Sequence, residues 1–298
     1  MRPTLADVLE FLQEGLKQGL RPATLKRQSA ALATVIQSLE GFPLTKHPLV
    51  IRFLKGATAL APPQIHRFPS WNLNLVLQSL TTTPFEPVKN IPLRMLTMKT
   101  LFLVAITSAR RVSELGALST RKDLCVFHKD KVVLGTDPAF QPKRDSPFHL
   151  SQEICLPTFF PRATSDRERC WHKLDVRWSL RVYLKRTQSL RSTDNLFINI
   201  QNTRRGFKMS NAAISKTLKA CIVEAYKIQK RAPPQGLTAH SIRGMATNVA
   251  FTHSASPLEV CRAATWSSLS TFTRHYKINT HSAQDAAFGR RVLQHVME

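Results

Sequence analysis

The sequence predicts a mainly α-helical protein with a small antiparallel β-sheet, divided into a small and a larger domain. Apolar residues recur with helical spacing through most of the 298 positions. Short β-branched runs separated by turn-forming residues occur in the segment 124–156, which is typical of strands. A proline-containing stretch, 61–70, predicts a linker between the domains, because proline removes a backbone donor and restricts φ.

The first domain, residues 1–60, is predicted to be wholly helical. Thr4 is a suitable N-cap for its first helix. The second helix is predicted to cover 22–39 with Val35 on its buried face, and the third to cover 48–59. These helices are expected to share one small core.

The larger domain, residues 71–298, is predicted to place strands between two groups of helices. The strands are expected at 124–127, 132–134 and 153–156. The most apolar helix, 92–108, is predicted to be buried. The other predicted helices cover 71–80, 174–187, 211–230, the segment around His240, 257–264 and 283–296.

The charge of the chain predicts a polyanionic partner. It has 43 basic and 19 acidic residues, a net charge of +24. A membrane surface is the competing partner, but the chain has no run of about 18 uncharged apolar residues, and its basic residues are spread along the sequence. We therefore expect double-stranded DNA. Candidate DNA contacts, unless they are merely solvated, are Lys26, Arg27, Arg204, Arg205 and Lys208.

The five cysteines are widely spaced and contain no Cys-x-x-Cys motif. They indicate neither a disulfide framework nor a zinc site, so we expect reduced thiols inside the cell. His149, Cys170 and His172 could be imagined as metal ligands, but nothing completes the set. The chain also opens without the apolar run of a signal peptide.

His240 and Arg243 lie three residues apart in an apolar-periodic segment, so on a helix they share one face. A guanidinium offers a planar fork of donors to phosphate oxygens, and an imidazole can add another donor. The pair therefore predicts an anion clamp, although the same spacing is common on ordinary helix surfaces. Arg110 and Arg111 follow the apolar helix, where burial of either one requires an anionic partner.

One of the three tyrosines is a candidate nucleophile. Tyr183 and Tyr226 lie on amphipathic helices and are predicted to be packing residues. Tyr276 lies in a basic segment, 274–277, where neighbouring cations favour the phenolate.

Taken in chain order, these residues resemble the tyrosine recombinases, the superfamily of phage integrases. The matching constellation consists of Arg111, Lys143, His240, Arg243, Trp266 and Tyr276. The segments 111–115, 180–187 and 265–276 are most similar to the recombinases of DIRS-type retrotransposons. The resemblance covers nearly the whole chain. It implies that 1–60 form a helical, DNA-binding core-binding domain and that 71–298 form an α+β catalytic domain.

The resemblance also implies a reaction. Tyr276 attacks the scissile phosphorus, leaving the enzyme joined to the DNA 3′ phosphate and releasing a 5′ hydroxyl. Arg111 and Arg243 stabilise the charge that develops on the non-bridging oxygens. His240 adds a donor or assists proton transfer from the phenol.

Further roles follow from the same resemblance. Lys143 protonates the leaving 5′ oxygen, and Glu114 orients the arginines. Trp266 takes a position where many relatives have histidine; its indole can donate a hydrogen bond but cannot shuttle a proton. Some assignments stay open. Arg110 is the alternative to Arg111, and the choice of Arg111 rests on the Val-Ser-Glu-Leu that follows it. Lys129, Lys131 and Arg144 are alternatives to Lys143, since a hairpin slip of one residue changes which side chain faces the site.

The family's assembly would be a tetramer on two DNA duplexes, acting in the nucleus on a circular retrotransposon DNA without cofactor or metal. The helix 283–296 would dock on a neighbouring protomer, as a closed ring requires. Two other functions stay open: a DNA-binding descendant that no longer cuts, and a topoisomerase similar to type IB. The acidic residues form no paired-carboxylate motif, so a metal-dependent nuclease is not predicted.

Overall fold

The computed structural model of the protein describes residues 3–62, 71–143, 153–201, 203–253 and 255–266. The chain divides into two compact units, Met1–His66 and Arg67–Glu298. Tyr276, the predicted helix 283–296 and most of the predicted linker lie outside the described residues. Within the described ranges, no helix is long and apolar enough to cross a membrane.

The N-terminal unit contains helices α1 (Leu5–Lys17), α2 (Pro22–Leu32) and α3 (Pro48–Leu60). As predicted, Thr4 caps α1: its hydroxyl accepts a hydrogen bond from the backbone N–H of Asp7 at 3.3 Å. In return, the Asp7 carboxylate accepts from the backbone N–H of Thr4 at 2.7 Å. The core of this unit consists of Leu5, Val8, Leu12, Leu25, Leu44, Val50 and Ala57.

The second helix is shorter than predicted. It is followed by a hairpin of β1 (Ser38–Leu39) and β2 (Phe42–Pro43), which leads into a 3-10 turn, Leu44–Lys46. Glu40 and Gly41 form the turn with φ of 50° and 81°, the positive values that suit a two-residue hairpin loop. The prediction that Val35 is buried was wrong, because this side chain is 83% exposed.

The larger unit is built around a central helix, α5. Its members in chain order are α4 (Leu73–Ser79), α5 (Leu93–Ser108), α6 (Val112–Ala117), α7 (Asp166–His172), α8 (Val176–Thr187), α9 (Asn211–Ile228), α10 (His240–Thr252) and α11 (Pro257–Ala263). Helices α8, α9 and α10 pack against α5, which is largely buried, as predicted. Helix α7 was not predicted; it begins with a capping box of Ser165 and Glu168.

The sheet of the larger unit contains β3 (Cys125–Phe127), β4 (Lys131–Leu134) and β5 (Ile154–Pro157). It is antiparallel in the order β3-β4-β5, with Val132 opposite Leu156. Alternate side chains of β4 and β5 are buried, and β5 packs against α5 and α8. A mainly helical protein with a small antiparallel sheet is therefore confirmed.

The end of α5 sets the direction of the chain that follows. Ala109 caps the helix in the left-handed region, with φ 52° and ψ 25°. The chain then passes through Arg110 and Arg111 into the short helix α6. Two adjacent arginines thus lie at the end of a buried helix, between α5 and α6.

Candidate functional site

Arg111 and Glu114 form an ion pair at the start of α6. Arg111 Nη1 donates to Glu114 Oε1 at 2.7 Å, and the backbone N–H of Arg111 donates to Glu114 Oε2 at 3.2 Å. The Glu114 side chain is 8% exposed and that of Arg111 is 25% exposed. The carboxylate therefore fixes the guanidinium while part of the arginine remains accessible to a ligand.

The adjacent arginine has different surroundings. Arg110 is buried, and its Nη2 donates to the carbonyl of Glu153, just before β5, at 3.2 Å. Its Nη1 lies 3.9 Å from Glu114 Oε2. Burial lowers the pKa of the Arg110 guanidinium, and the Glu114 charge opposes that effect. These contacts favour Arg111 over Arg110 as the residue that meets a bound anion.

Arg243 lies in the first turn of α10 and is buried, at 2% exposure. Its Nη2 donates to the carbonyl of Ala264, and its guanidinium carbon lies 4.8 Å from the centre of the Trp266 ring. His240 is the first residue of the same helix and is exposed. The predicted helix with His240 and Arg243 one turn apart is therefore present.

The pKa of His240 is affected by the charges of three other predicted site residues. Partial desolvation lowers the pKa of the His240 imidazole below its ordinary value of 6.5, and the charges of Arg243, Arg111 and Lys143 lower it further. Because these described cations and the partial desolvation all lower the pKa of the ring, its neutral form is favoured at pH 7. Arg111 and Lys143, which are far from the His240–Arg243 pair in the sequence, thus share one electrostatic environment with it.

Lys143 is exposed and lies after β4, in the segment leading to β5. Its charge acts on His240, whereas Lys129 and Lys131 are not among the described charges that do so. Arg144, the remaining alternative, lies outside the described residues. Of the described candidates, Lys143 is therefore the one whose charge lowers the pKa of His240.

Trp266 is 5% exposed and belongs to a small buried cluster. The other buried members are Ala109, Val260, Cys261 and Ala264. Its ring is thus part of the core and also packs on Arg243. The contact with Arg243 was not predicted from the sequence, and a direct role of Trp266 in the reaction stays a prediction.

Thr265 also contacts the site, although it was not among the site residues predicted from the sequence. Its hydroxyl accepts from Arg111 Nη1 at 3.1 Å and donates to Glu114 Oε1 at 3.3 Å. A threonine beside Trp266 carries no sequence signal for such a contact. The clue available beforehand was its position next to a residue that had been singled out.

The candidate DNA contacts are exposed, as expected of solvent-facing cations. Lys26 and Arg27 lie on α2 of the N-terminal unit. Arg204, Arg205 and Lys208 lie in a loop before α9. Tyr183 and Tyr226 are buried, at 0% and 8% exposure, which confirms that they are packing residues. In the described part of the chain no group of His, Cys, Asp and Glu could hold a metal ion.

The chain matches no protein-family profile and no curated protein, but its structure is similar to those of known integrases and recombinases. The XerH site-specific recombinase, bound to a palindromic difH substrate in a post-cleavage complex, has a TM-score of 0.59 at 15% identity, with 96% of this chain and 72% of that chain covered. The Tn1549 transposon integrase, in complex with transposon right-end DNA, has a TM-score of 0.57 at 17% identity, with 96% and 85% covered. A lambda integrase dimer bound to a COC′ core site has a TM-score of 0.50 at 15% identity, with 94% and 81% covered. These likenesses establish the fold, which this chain shares with these recombinases and integrases.

Proposed function

We propose that this protein is a tyrosine recombinase, which cuts and rejoins double-stranded DNA at specific sites through a 3′-phosphotyrosyl intermediate on Tyr276. The observation that carries the proposal is geometric: the consecutive residues Ala264, Thr265 and Trp266 contact both Arg111 and Arg243. The charges of Arg111, Lys143 and Arg243 also lower the pKa of His240. Fixed cations around one point suit a phosphate whose charge grows in the transition state. The fold shared with DNA-bound recombinases supports the same function.

The proposed reaction forms a bond between the Tyr276 oxygen and phosphorus and breaks the bond from phosphorus to the 5′ oxygen. Arg111 and Arg243 stabilise the charge on the non-bridging oxygens. His240, neutral at pH 7, accepts the phenol proton. Lys143 donates a proton to the departing 5′ oxygen. The covalent link conserves the phosphodiester, so a 5′ hydroxyl can reverse the step without a nucleotide cofactor or metal.

The remaining residues have supporting roles in this proposal. Glu114 orients Arg111, to which it is bonded at 2.7 Å, and Trp266 holds the Arg243 guanidinium by stacking. The exposed cations named above contact the DNA backbone, where they contribute affinity rather than sequence selection. The net charge of +24 supports a polyanionic substrate.

We further propose that the substrate is the circular DNA of a DIRS-type retrotransposon, bound by a tetramer in the nucleus. The sequence likeness of the segments 111–115, 180–187 and 265–276 to that group supports this narrower assignment. Residues 1–60 would bind DNA as the core-binding domain and 71–298 would catalyse the reaction. The helix 283–296 would then join neighbouring protomers.

Trapping of the covalent intermediate tests the proposal. The protein is incubated without magnesium with labelled element-end DNA carrying a nick near the cleavage site, then denatured and resolved by electrophoresis. We expect a denaturation-resistant adduct with wild-type protein and none with Tyr276→Phe. Tyr226→Phe is a matched control, because Tyr226 is a buried packing residue and its variant should still form the adduct.

The alternative functions give different results. Retained salt-sensitive DNA binding without adduct on any end sequence would support a DNA-binding descendant that no longer cuts. Efficient relaxation of supercoils by monomers, without recombinant products, would support a topoisomerase similar to type IB. An adduct that persists in Tyr276→Phe would reject Tyr276 as the nucleophile.

A further inference from the structure

Three consecutive residues after α11 each contact one of the two site arginines. The Ala264 carbonyl accepts from Arg243 Nη2, the Thr265 hydroxyl accepts from Arg111 Nη1 at 3.1 Å, and the Trp266 ring packs on the Arg243 guanidinium. All three residues are at most 5% exposed. We call this tripeptide, Ala264–Thr265–Trp266, the arginine clasp.

The backbone of the clasp is the C-terminal cap of α11. The N–H of Trp266 donates to the Cys261 carbonyl at 2.8 Å, and the N–H of Thr265 donates to the Arg262 carbonyl at 3.1 Å. These bonds define a Schellman cap, in which the residue at the position of Thr265 adopts a left-handed conformation and is usually glycine. Thr265 has φ 50° there.

A β-branched residue is an outlier in the left-handed region, so Thr265 carries backbone strain that glycine would avoid. Strain of this kind persists where the surrounding structure requires it, often at functional sites. Glycine could form the same cap but has no hydroxyl. The hydroxyl is therefore the feature that distinguishes threonine at this position.

The hydroxyl uses its single donor and one acceptor site on an existing ion pair. It donates to Glu114 Oε1 at 3.3 Å and accepts from Arg111 Nη1, which is also bonded to Glu114 Oε1 at 2.7 Å. Both side-chain contacts of Arg111 among the described residues thus use Nη1. The edge formed by Nε and Nη2 has no protein partner among them, and this edge suits bidentate phosphate binding.

We propose that Thr265 is a positioning residue for Arg111: its hydroxyl locks Nη1 against Glu114 and so presents the Nε and Nη2 edge to the scissile phosphate. Through Ala264 and Trp266 the same tripeptide holds Arg243, so one segment sets the orientation of both arginines. Its effect on the reaction rests on the proposed recombinase function. The local geometry stands independently of that function.

Two substitutions distinguish the effect of the Thr265 hydroxyl from the effect of its left-handed backbone conformation. Thr265→Ser keeps the hydroxyl, and we expect wild-type single-turnover cleavage of the nicked DNA. Thr265→Gly removes the hydroxyl but suits the left-handed backbone, so we expect a folded protein whose cleavage is slowed roughly 100-fold by the misplaced guanidinium. DNA affinity should not change, because backbone contacts elsewhere dominate it. A purely structural role for Thr265 predicts instead that Thr265→Gly is at least as active as wild type.

The end of α9 offers a matched control. Lys230 has φ 52° in an equivalent cap, with its N–H bonded to the Lys227 carbonyl at 2.9 Å and that of Arg231 bonded to the Tyr226 carbonyl at 2.9 Å. Lys230→Gly makes the same backbone change away from the arginine clasp. It should cleave DNA at the wild-type rate.

A second measurement does not depend on cleavage. In ¹⁵N–¹H spectra of arginine side chains in the free protein, the Arg111 signals, assigned with Arg111→Lys, should shift in Thr265→Gly and stay in place in Thr265→Ser. Unchanged Arg111 signals in Thr265→Gly would overturn the clasp even if cleavage slowed. Absence of cleavage in wild-type protein, with the expected Arg111 shift, would reject the recombinase function and leave the clasp supported.

Discussion

Glu114 shows how a single carboxylate supports two adjacent arginines. Its Oε1 is bonded to Arg111 Nη1 at 2.7 Å, and its Oε2 lies 3.9 Å from Arg110 Nη1. Buried cations are costly without an anion nearby, because desolvation disfavours the charged form. Glu114 therefore provides the anionic partner that the two adjacent arginines require. Because each of its oxygens faces a different arginine, it also holds the two guanidinium groups in different directions.

The pKa of His240 gives a testable prediction for a single residue. We expect its NMR titration midpoint to lie below 6.5, because partial desolvation and the charges of Arg243, Arg111 and Lys143 lower its pKa. Lys143→Met removes one of these charges and should raise the midpoint. Since a neutral imidazole is the proton acceptor in the proposed reaction, cleavage should be lost as pH falls through this midpoint.

Lys129→Met is the control for that titration, and His240→Gln assigns the resonance. Lys129 is an exposed lysine next to β3 that is not among the described charges acting on His240. Its removal should leave the midpoint in place. A larger shift in Lys129→Met than in Lys143→Met would show that the wrong lysine had been assigned to the site.

At the scale of elements, the basic loop before α9 depends on Gly206. Its φ is +87°, and a Cβ added there would lie 2.0 Å from the Leu190 carbonyl oxygen. The N–H of Gly206 donates to the Asn199 carbonyl at 2.8 Å, and its own carbonyl accepts from the N–H of Ser192 at 3.0 Å. The backbone thus packs closely at the point where Arg204 and Arg205 are presented.

Gly206→Ala should therefore reduce the free energy of unfolding by more than about 1 kcal/mol. Alanine is strained at this positive φ, and its Cβ would clash with the Leu190 carbonyl oxygen. Denaturant unfolding measures the loss. The control is Gly56→Ala in α3, where a Cβ would meet nothing within 4 Å and alanine should stabilise the helix by up to about 1 kcal/mol. Equal effects of the two substitutions would contradict the role given to Gly206.

At the scale of the whole molecule, the excess of 43 basic over 19 acidic residues is far larger than the site itself uses. In the proposed function, the basic residues outside the site would act on the phosphate backbone of DNA. Binding of this kind releases counterions, so its affinity falls steeply with salt concentration. The exposed cations of the N-terminal unit and of the basic loop are the residues through which the proposed binding would act.

Arg204→Ala and Arg205→Ala should each weaken binding to specific and non-specific DNA alike. Each should also reduce the slope of log affinity against log salt by about 0.9, the value for one phosphate contact. Fluorescence anisotropy over a range of salt concentrations measures both effects. Arg121→Ala is the control, because Arg121 is already paired with Asp123 at 2.7 Å. If the slope of log affinity against log salt is unchanged in all three variants, the basic loop before α9 is not part of the DNA interface.

The sequence alone determined the features that depend on local spacing. The capped first helix, the buried α5, the strand positions and the His240–Arg243 face follow from periodicity and turn residues over short stretches. The same periodicity failed at Val35, because the second helix ends at Leu32 and Val35 lies in the turn that follows it, before the hairpin. It also missed α7, a short helix whose main signal is its capping box.

Only the tertiary structure decided which distant groups meet. Thr265 binds Arg111 across 154 positions, and Lys99, inside a helix predicted to be buried, is wholly buried with Glu86 as its partner. The choice between Arg110 and Arg111 likewise depends on where Glu153 and Thr265 lie. Sequence periodicity reports which face of an element is apolar, whereas the pairing of polar groups depends on how the elements pack together.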